Sequence, residues 1–256
     1  MNPLSPSAIV RSQARKTLKG NYVAAVASFF ILLLPIYLIE GLSSVLDTIL
    51  RQFTNDAAIL GGLIVVVITP ISILLFVLLS PLFNGFVRVF YEAAYTRRMR
   101  MSNLFYYFAK DRYQRTIHLN LAIAIRVILP ALLIYLPVFI YYIFCFTYLE
   151  NFVGTVLYKD FAFLLAVMST ILLILYTLKY FLVFTLYCSD DTVSPHQIIS
   201  TSKSIMANQK ASATKLIFSF TPWMLLCLLI LPALYVVPYM TQSLCIGAKW
   251  MTMKGK

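Results

Sequence analysis

Residues 127–149 read VILPALLIYLPVFIYYIFCFTYL, 23 positions without a charged side chain, bounded by Arg126 and Glu150. A bilayer core about 30 Å thick is crossed by roughly 20 apolar residues in a helix, so this run is long enough to span. Inside lipid no water is available to bond the backbone, and the α-helix satisfies its polar groups within one segment. The stretches 57–87, 161–178 and 216–248 are equally free of charge, and a fifth apolar run occupies 20–39. The expected fold is therefore all-α, a polytopic transmembrane helical bundle forming a single integral-membrane domain over 1–256.

Composition agrees with that reading. Hydrophobic residues make up 61% of the chain and charged residues 12%, about half the charged share of a soluble domain. The net charge of +12 does not point to nucleic acid, whose partners gather base on one soluble face. Here the base lies in short segments beside apolar runs, which reads as topology and as attraction to anionic lipid. Cys145, Cys188, Cys227 and Cys245 lie in or just past apolar runs without CxxC or zinc spacing, so they read as small buried thiols. No cofactor or metal is expected. Residues 21–39 read as a retained first membrane helix rather than a cleaved signal peptide, because Pro35 interrupts the run and no small-x-small site ends it.

Further crossings are predicted at 57–80, ending near Pro81, at 118–146 and at 161–187. The last run, 216–248, is long for one crossing and short for two, with Pro232 and Pro238 inside it. Charge favours two. With six crossings, 17 of the 21 Lys and Arg residues flank one face, only Arg51 and Lys159 lie on the other, and Arg126 and Lys179 sit inside helix ends. The positive-inside rule then makes both termini cytoplasmic and the connections 40–56 and 147–160 external.

Three amphipathic segments precede the hairpins. Ser5 and Pro6 open the first with an N-cap and a proline at the first helical position, and Gly20 ends it. Ile9, Val10, Gln13, Ala14, Thr17 and Leu18 share one side, and Arg11, Arg15, Lys16 and Lys19 the other. Such a helix is expected at the interface, base toward phosphates and apolar side toward acyl chains; packing on the protein's own elements is the alternative. Ser102 is expected to cap a second segment presenting Leu104, Phe105 and Phe108. Ser194 and Pro195 open a third, with Ile198, Ile199, Ser202, Ile205 and Met206 on one face and Asn208 at its end. The chain thus reads as three units, 1–87, 88–187 and 188–256, each an interfacial helix followed by a crossing out and a crossing back.

The segment ARKTLKGNY at 14–22, the series Asp191, Ser194, Ile198, Ser202, Met206 and Lys210, the SFTPW of 219–223 and Pro238-Tyr239 resemble a family of bacterial integral-membrane proteins catalogued as domain of unknown function 975. The likeness covers nearly the whole chain. Departures gather at the last hairpin: Asn208 and Pro222 stand where family members usually have glycine, and Leu231-Pro232-Ala233 replaces a glycine pair. The resemblance implies a multi-pass protein of the bacterial cell membrane. It brings no activity, substrate or cofactor.

Chemistry is sparse. His118 and His196 each begin a predicted helix, and Asp190 and Asp191 near His196 read as charge complements to the helix opening at Ser194. No HExxH, GxSxG or glycine-rich phosphate loop occurs, and the protein is not expected to be an enzyme. Charge within membrane helices is the usual pointer to function; it falls on Arg126 and Lys179, although snorkelling to the headgroups also accounts for both. The candidate site residues are therefore Arg126, Lys179, Asp190 and Asp191, as contacts for a lipid headgroup or an anionic ligand, with the two carboxylates as partners for Arg126. Two functions compete: an accessory component that contacts membrane lipids or a protein partner, and a transporter or export component for a small amphipathic or peptide substrate. A polar cavity lined from several helices would favour the second, an apolar bundle the first.

Overall fold

The structure, a computed structural model, describes residues 6–53, 62, 64–148, 156–227 and 230–254. Among them every regular element is helical and no strand occurs. In chain order these are α1 (Pro6–Leu18), α2 (Tyr22–Phe53), a π-helical turn (Ile64–Ile68), α3 (Thr69–Leu79), α4 (Pro81–Thr96), a 3-10 helix (Met101–Phe108), α5 (Lys110–Tyr148), α6 (Val156–Thr177), a 3-10 turn (Leu178–Tyr180), α7 (Val183–Ser189), α8 (Pro195–Phe218), α9 (Thr221–Leu226) and α10 (Ile230–Lys254). Ser5 and the tips of the expected connections, 54–61 and 149–155, lie outside the described residues.

Among the described residues four spans are long and apolar enough to cross a membrane: Tyr22–Gln52, Val65–Thr96, Lys110–Cys145 and Asp160–Ser189. In the most apolar 18-residue window of the third, only 6% of residues are buried inside the protein. Leu133, Ile143 and Phe163 point outward, each more than 60% exposed. A continuous apolar surface of this extent is stable only against lipid or a partner. The chain is a membrane protein.

Element boundaries depart from the sequence reading in instructive ways. α2 does not stop at 39 but runs through Glu40 to Phe53, and Arg51 Nε donates to Asp47 Oδ2 at 2.9 Å one turn back. The second crossing does not end at Pro81; the helix restarts there at once, since a proline at the first helical position lacks only an N–H that would be unpaired anyway. α5 begins at Lys110, eight residues before the expected 118. Asn208 does not end α8, which continues to Phe218; an exposed mid-helix asparagine costs only a fraction of a kcal/mol. The last apolar stretch divides into the six-residue α9 and the 25-residue α10. At 1.5 Å per residue α9 is about 9 Å long and cannot cross a bilayer by itself.

The packed core sits at one end of the molecule, where the basic segments gather. α4 is its centre and buries Leu82, Phe86, Val89, Phe90 and Ala93. Gly85 on α4 lies against the backbone of Leu104 in the 3-10 helix, where an added Cβ would overlap the Leu104 carbonyl. Ser102 therefore caps nothing: it lies inside that 3-10 helix, whose N-cap is Arg100. Leu104 is fully buried rather than lipid-facing, while Phe105 stays outside.

α1 is amphipathic as expected, but its apolar side faces protein. Val10, Ala14 and Leu18 are buried in one cluster with Leu216, Ile246 and Met251. Small residues make this approach feasible, because a Cβ on Gly247 would meet the side chains of Leu216 and Val10. The joint beyond α1 is polar. Asn21 donates to the carbonyls of Thr17 and Arg97, and its Oδ1 accepts from Met99 N–H at 3.1 Å. Arg97 ends α4 in the left-handed conformation, φ 59°, and Lys249 Nζ donates to Ala94 O at 3.1 Å. Helix C-termini leave carbonyls unpaired and favour nearby cations; Asn21 and Lys249 supply both needs.

Candidate functional site

The two carboxylates expected beside Arg126 are engaged elsewhere. Asp191 pairs with Arg112 of α5 at 3.1 Å. Asp190 accepts from the N–H and hydroxyl of Thr192 at 3.0 and 2.6 Å, and those bonds hold its carboxyl below the usual range. Lys179 is held in the turn between α6 and α7, its ammonium 3.4 Å from the centre of the Tyr176 ring. Its backbone carbonyl accepts from Ser202 of α8 at 3.0 Å. Asp191 and Lys179 thus fasten helices to one another, and Asp190 closes the turn before α8.

Most polar groups near them do the same. The Tyr106 ring lies between two guanidiniums, Arg88 at 3.5 Å and Arg112 at 4.0 Å. Arg88 also pairs with Glu92 at 3.4 Å and donates to the Tyr107 hydroxyl. Tyr107 stacks on Tyr187 with ring centres 5.1 Å apart and donates to Cys188 Sγ at 3.6 Å. Burial pushes the Tyr107 phenol well above its ordinary pKa, so it remains a donor. The Tyr187 hydroxyl meets Thr116 Oγ1 at 2.8 Å. This polar knot joins α4, the 3-10 helix, α5 and α7. Sequence reasoning had no handle on it, because no motif or spacing sets Tyr106, Tyr107 and Tyr187 apart from the other tyrosines of the chain.

Arg126 stands apart. Its guanidinium is half-buried and donates to Ala122 O of its own helix at 2.8 Å, while Tyr176 of α6 donates to the Arg126 carbonyl at 3.2 Å. Arg126 lines a cavity of about 410 Å³ together with Arg115, His118, Ala122, Ser194, Pro195 and His196. Two elements build it. α5 presents Arg115, His118, Ala122 and Arg126 at helical spacing on one face, and α8 contributes its capped first turn. There Ser194 is in extended conformation (φ −64°, ψ 144°) and accepts from Gln197 N–H, so α8 opens where the Ser-Pro signal predicts, and its first residues line the cavity. Four of the seven lining residues are arginine or histidine, none is acidic, and among the described residues no carboxylate pairs with Arg115 or Arg126. Arg115 and both histidines were missed as site residues; the 115, 118, 122, 126 spacing was the available signal.

Deeper in the bundle, two cavities of about 460 and 450 Å³ share Phe83, Ile123, Val127 and Phe184 in their walls. Their linings are almost wholly apolar. Polar groups enter at one edge, where Asn84 donates to Asn120 at 2.9 Å and Asn120 to the Ser80 hydroxyl at 3.0 Å.

A family model described as "Protein of unknown function (DUF975)" matches residues 4–246. The chain belongs to this family. No curated protein and no solved structure matches it. The residues that carried the resemblance have structural work in this DUF975 chain: Asn21 caps α4, Ser194 caps α8, Ile198 and Met206 are buried, and Trp223 packs edge-on to Tyr239 at 6.2 Å.

Proposed function

We propose that this DUF975 protein is a non-enzymatic component of the bacterial cell membrane, an accessory protein that works by contact of its basic end with lipid headgroups or a partner. The observation that carries this reading is the surface of that end. Arg98, Arg100, Lys110, Lys203 and Lys210 are exposed there and have no carboxylate partner among the described residues. Each base near an anionic leaflet contributes roughly 1 kcal/mol of attraction. The reading as a transporter or export component for a small amphipathic or peptide substrate has the two inner cavities in its favour, but their linings hold no charged side chain to take a substrate's polar end.

The full-length protein, offered an equimolar mixture of anionic and zwitterionic phospholipid in detergent and weighed by native mass spectrometry, should retain the anionic lipid preferentially. Replacing Arg98, Arg100, Lys203 and Lys210 together with glutamine should reduce that preference at least about fivefold, the factor that even one such charge would supply. A wild-type protein without lipid preference would refute the reading.

Orientation is checked separately. In a cysteine-free background, single cysteines at Asn55, Asn151 and Ala233 should react with a membrane-impermeant reagent applied to intact cells, and those at Ser7 and Lys254 should not. That pattern is the six-crossing arrangement with cytoplasmic termini. Labelling at Lys254 without labelling at Ala233 would leave five crossings, and labelling at neither would leave only the four long apolar spans, with the short α9 not crossing.

A further inference from the structure

We infer that the cavity at Arg126 is a headgroup site for one anionic phospholipid, with the phosphate among Arg115, His118, Arg126 and His196 and the acyl chains along the outer face of α5. This deepens the lipid-contact reading above and rests on it. Two observations combine. The first is the cavity itself: about 410 Å³, lined by two arginines and two histidines without an acidic residue. A guanidinium offers paired donors that match phosphate geometry, and the start of α8 adds positive potential from its unpaired N–H groups. The second is what lies beside it on the same helix. At 100° per residue, Ile125, Leu129, Leu133, Leu136 and Ile140 continue the face that carries Arg115, His118 and Ala122. Each of these five is between 49% and 71% exposed.

A cationic mouth leading into a bare apolar strip has the shape of an amphiphile. The depth agrees. From Val127 to Tyr148 α5 has 22 uncharged residues, about 33 Å at helical rise, so Arg126 stands at the boundary between headgroups and hydrocarbon. A soluble phosphate compound would use the cavity and leave the strip unused. The chemistry the cavity selects is a phosphate monoanion or diester, and the strip decides for the lipid source.

The test uses the full-length protein in detergent, titrated with phosphatidylglycerol, with phosphatidylcholine and with glycerol phosphate, bound species being counted by native mass spectrometry. One phosphatidylglycerol should bind more tightly than the rest of the annulus and resist millimolar inorganic phosphate. Arg115→Gln and Arg126→Gln together should weaken that first binding at least tenfold. The exposed His196→Gln should weaken it about threefold without touching the fold, and Leu129→Ala with Leu133→Ala should weaken the lipid but not glycerol phosphate. Glycerol phosphate binding as tightly as the lipid would overturn the lipid assignment in favour of a soluble phosphate compound. First-site binding unchanged in the Arg115/Arg126 variant and in His196→Gln would overturn the site. Overall anionic preference, still lost in the Arg98/Arg100/Lys203/Lys210 variant, would then show the basic-end reading standing without it.

Discussion

Gly85→Ala should lower the detergent-solubilised protein's stability by about 3 kcal/mol or more, at the upper end of what overpacking costs, whereas Gly247→Ala should cost under about 1 kcal/mol. Both glycines sit in close helix contacts, but they meet different atoms. The Cβ added at Gly85 would overlap the carbonyl carbon and oxygen of Leu104, which belong to backbone. Neither α4 nor the 3-10 helix can yield there, because Phe86, Phe90, Leu104 and Tyr107 are each under 5% exposed on the two sides of the joint. The Cβ added at Gly247 would instead meet the far end of the Leu216 side chain, and a rotamer change relieves that at small cost. Thermal unfolding of the two variants, followed by size-exclusion fluorescence, should separate them clearly. Equal midpoints would mean that the 3-10 helix is not seated on Gly85 as described.

The membrane class of this protein is written in its charge-free runs, and the four long apolar spans follow them closely. The ends of those spans were not legible. Glu40 and Asp47 look like loop residues by hydropathy, yet an exposed helix tolerates them, and Arg51 four residues past Asp47 supports the turn. Amphipathicity located α1 and the buried face of α8 correctly, with Ile198, Ile199, Ser202 and Met206 all inside. It could not say what that face touches. An apolar stripe satisfied by acyl chains and one satisfied by a neighbouring helix have the same period, and only tertiary contact distinguishes them. Arg126 was a sound choice on charge within a helix. Its neighbours in the cavity come from α5 and from residues 194–196, some seventy positions away, and pairing the acids with Arg126 failed because Arg112, nearer to Asp191, holds that carboxylate.

The sharpest separation of those two kinds of stripe comes from charging the buried face of α8. Ile198→Asp combined with Met206→Asp should abolish accumulation of the folded protein rather than merely loosen α8 from the membrane. Ile198 and Met206 are 3% and 0% exposed. Ile198 packs in the cluster of Tyr180, Val183 and Tyr187, and Met206 in the larger core around α4. Both positions are walled by apolar and aromatic side chains. Each substitution removes an apolar side chain worth roughly 2–5 kcal/mol on truncation and adds a buried acid costing several kcal/mol even after relaxation. The sum is on the order of 10 kcal/mol, comparable to the whole stability of a typical domain. Ile198→Val with Met206→Leu stays apolar and removes little more than one methylene, so it should cost less than about 3 kcal/mol. If α8 lay with this face in lipid, the aspartate pair would move to the headgroups, and the rest of the bundle would survive. Membrane extraction and limited proteolysis matching the wild type would therefore contradict the packing of α8 on the turn at Lys179, and with it the placement of His196 over the Arg126 cavity.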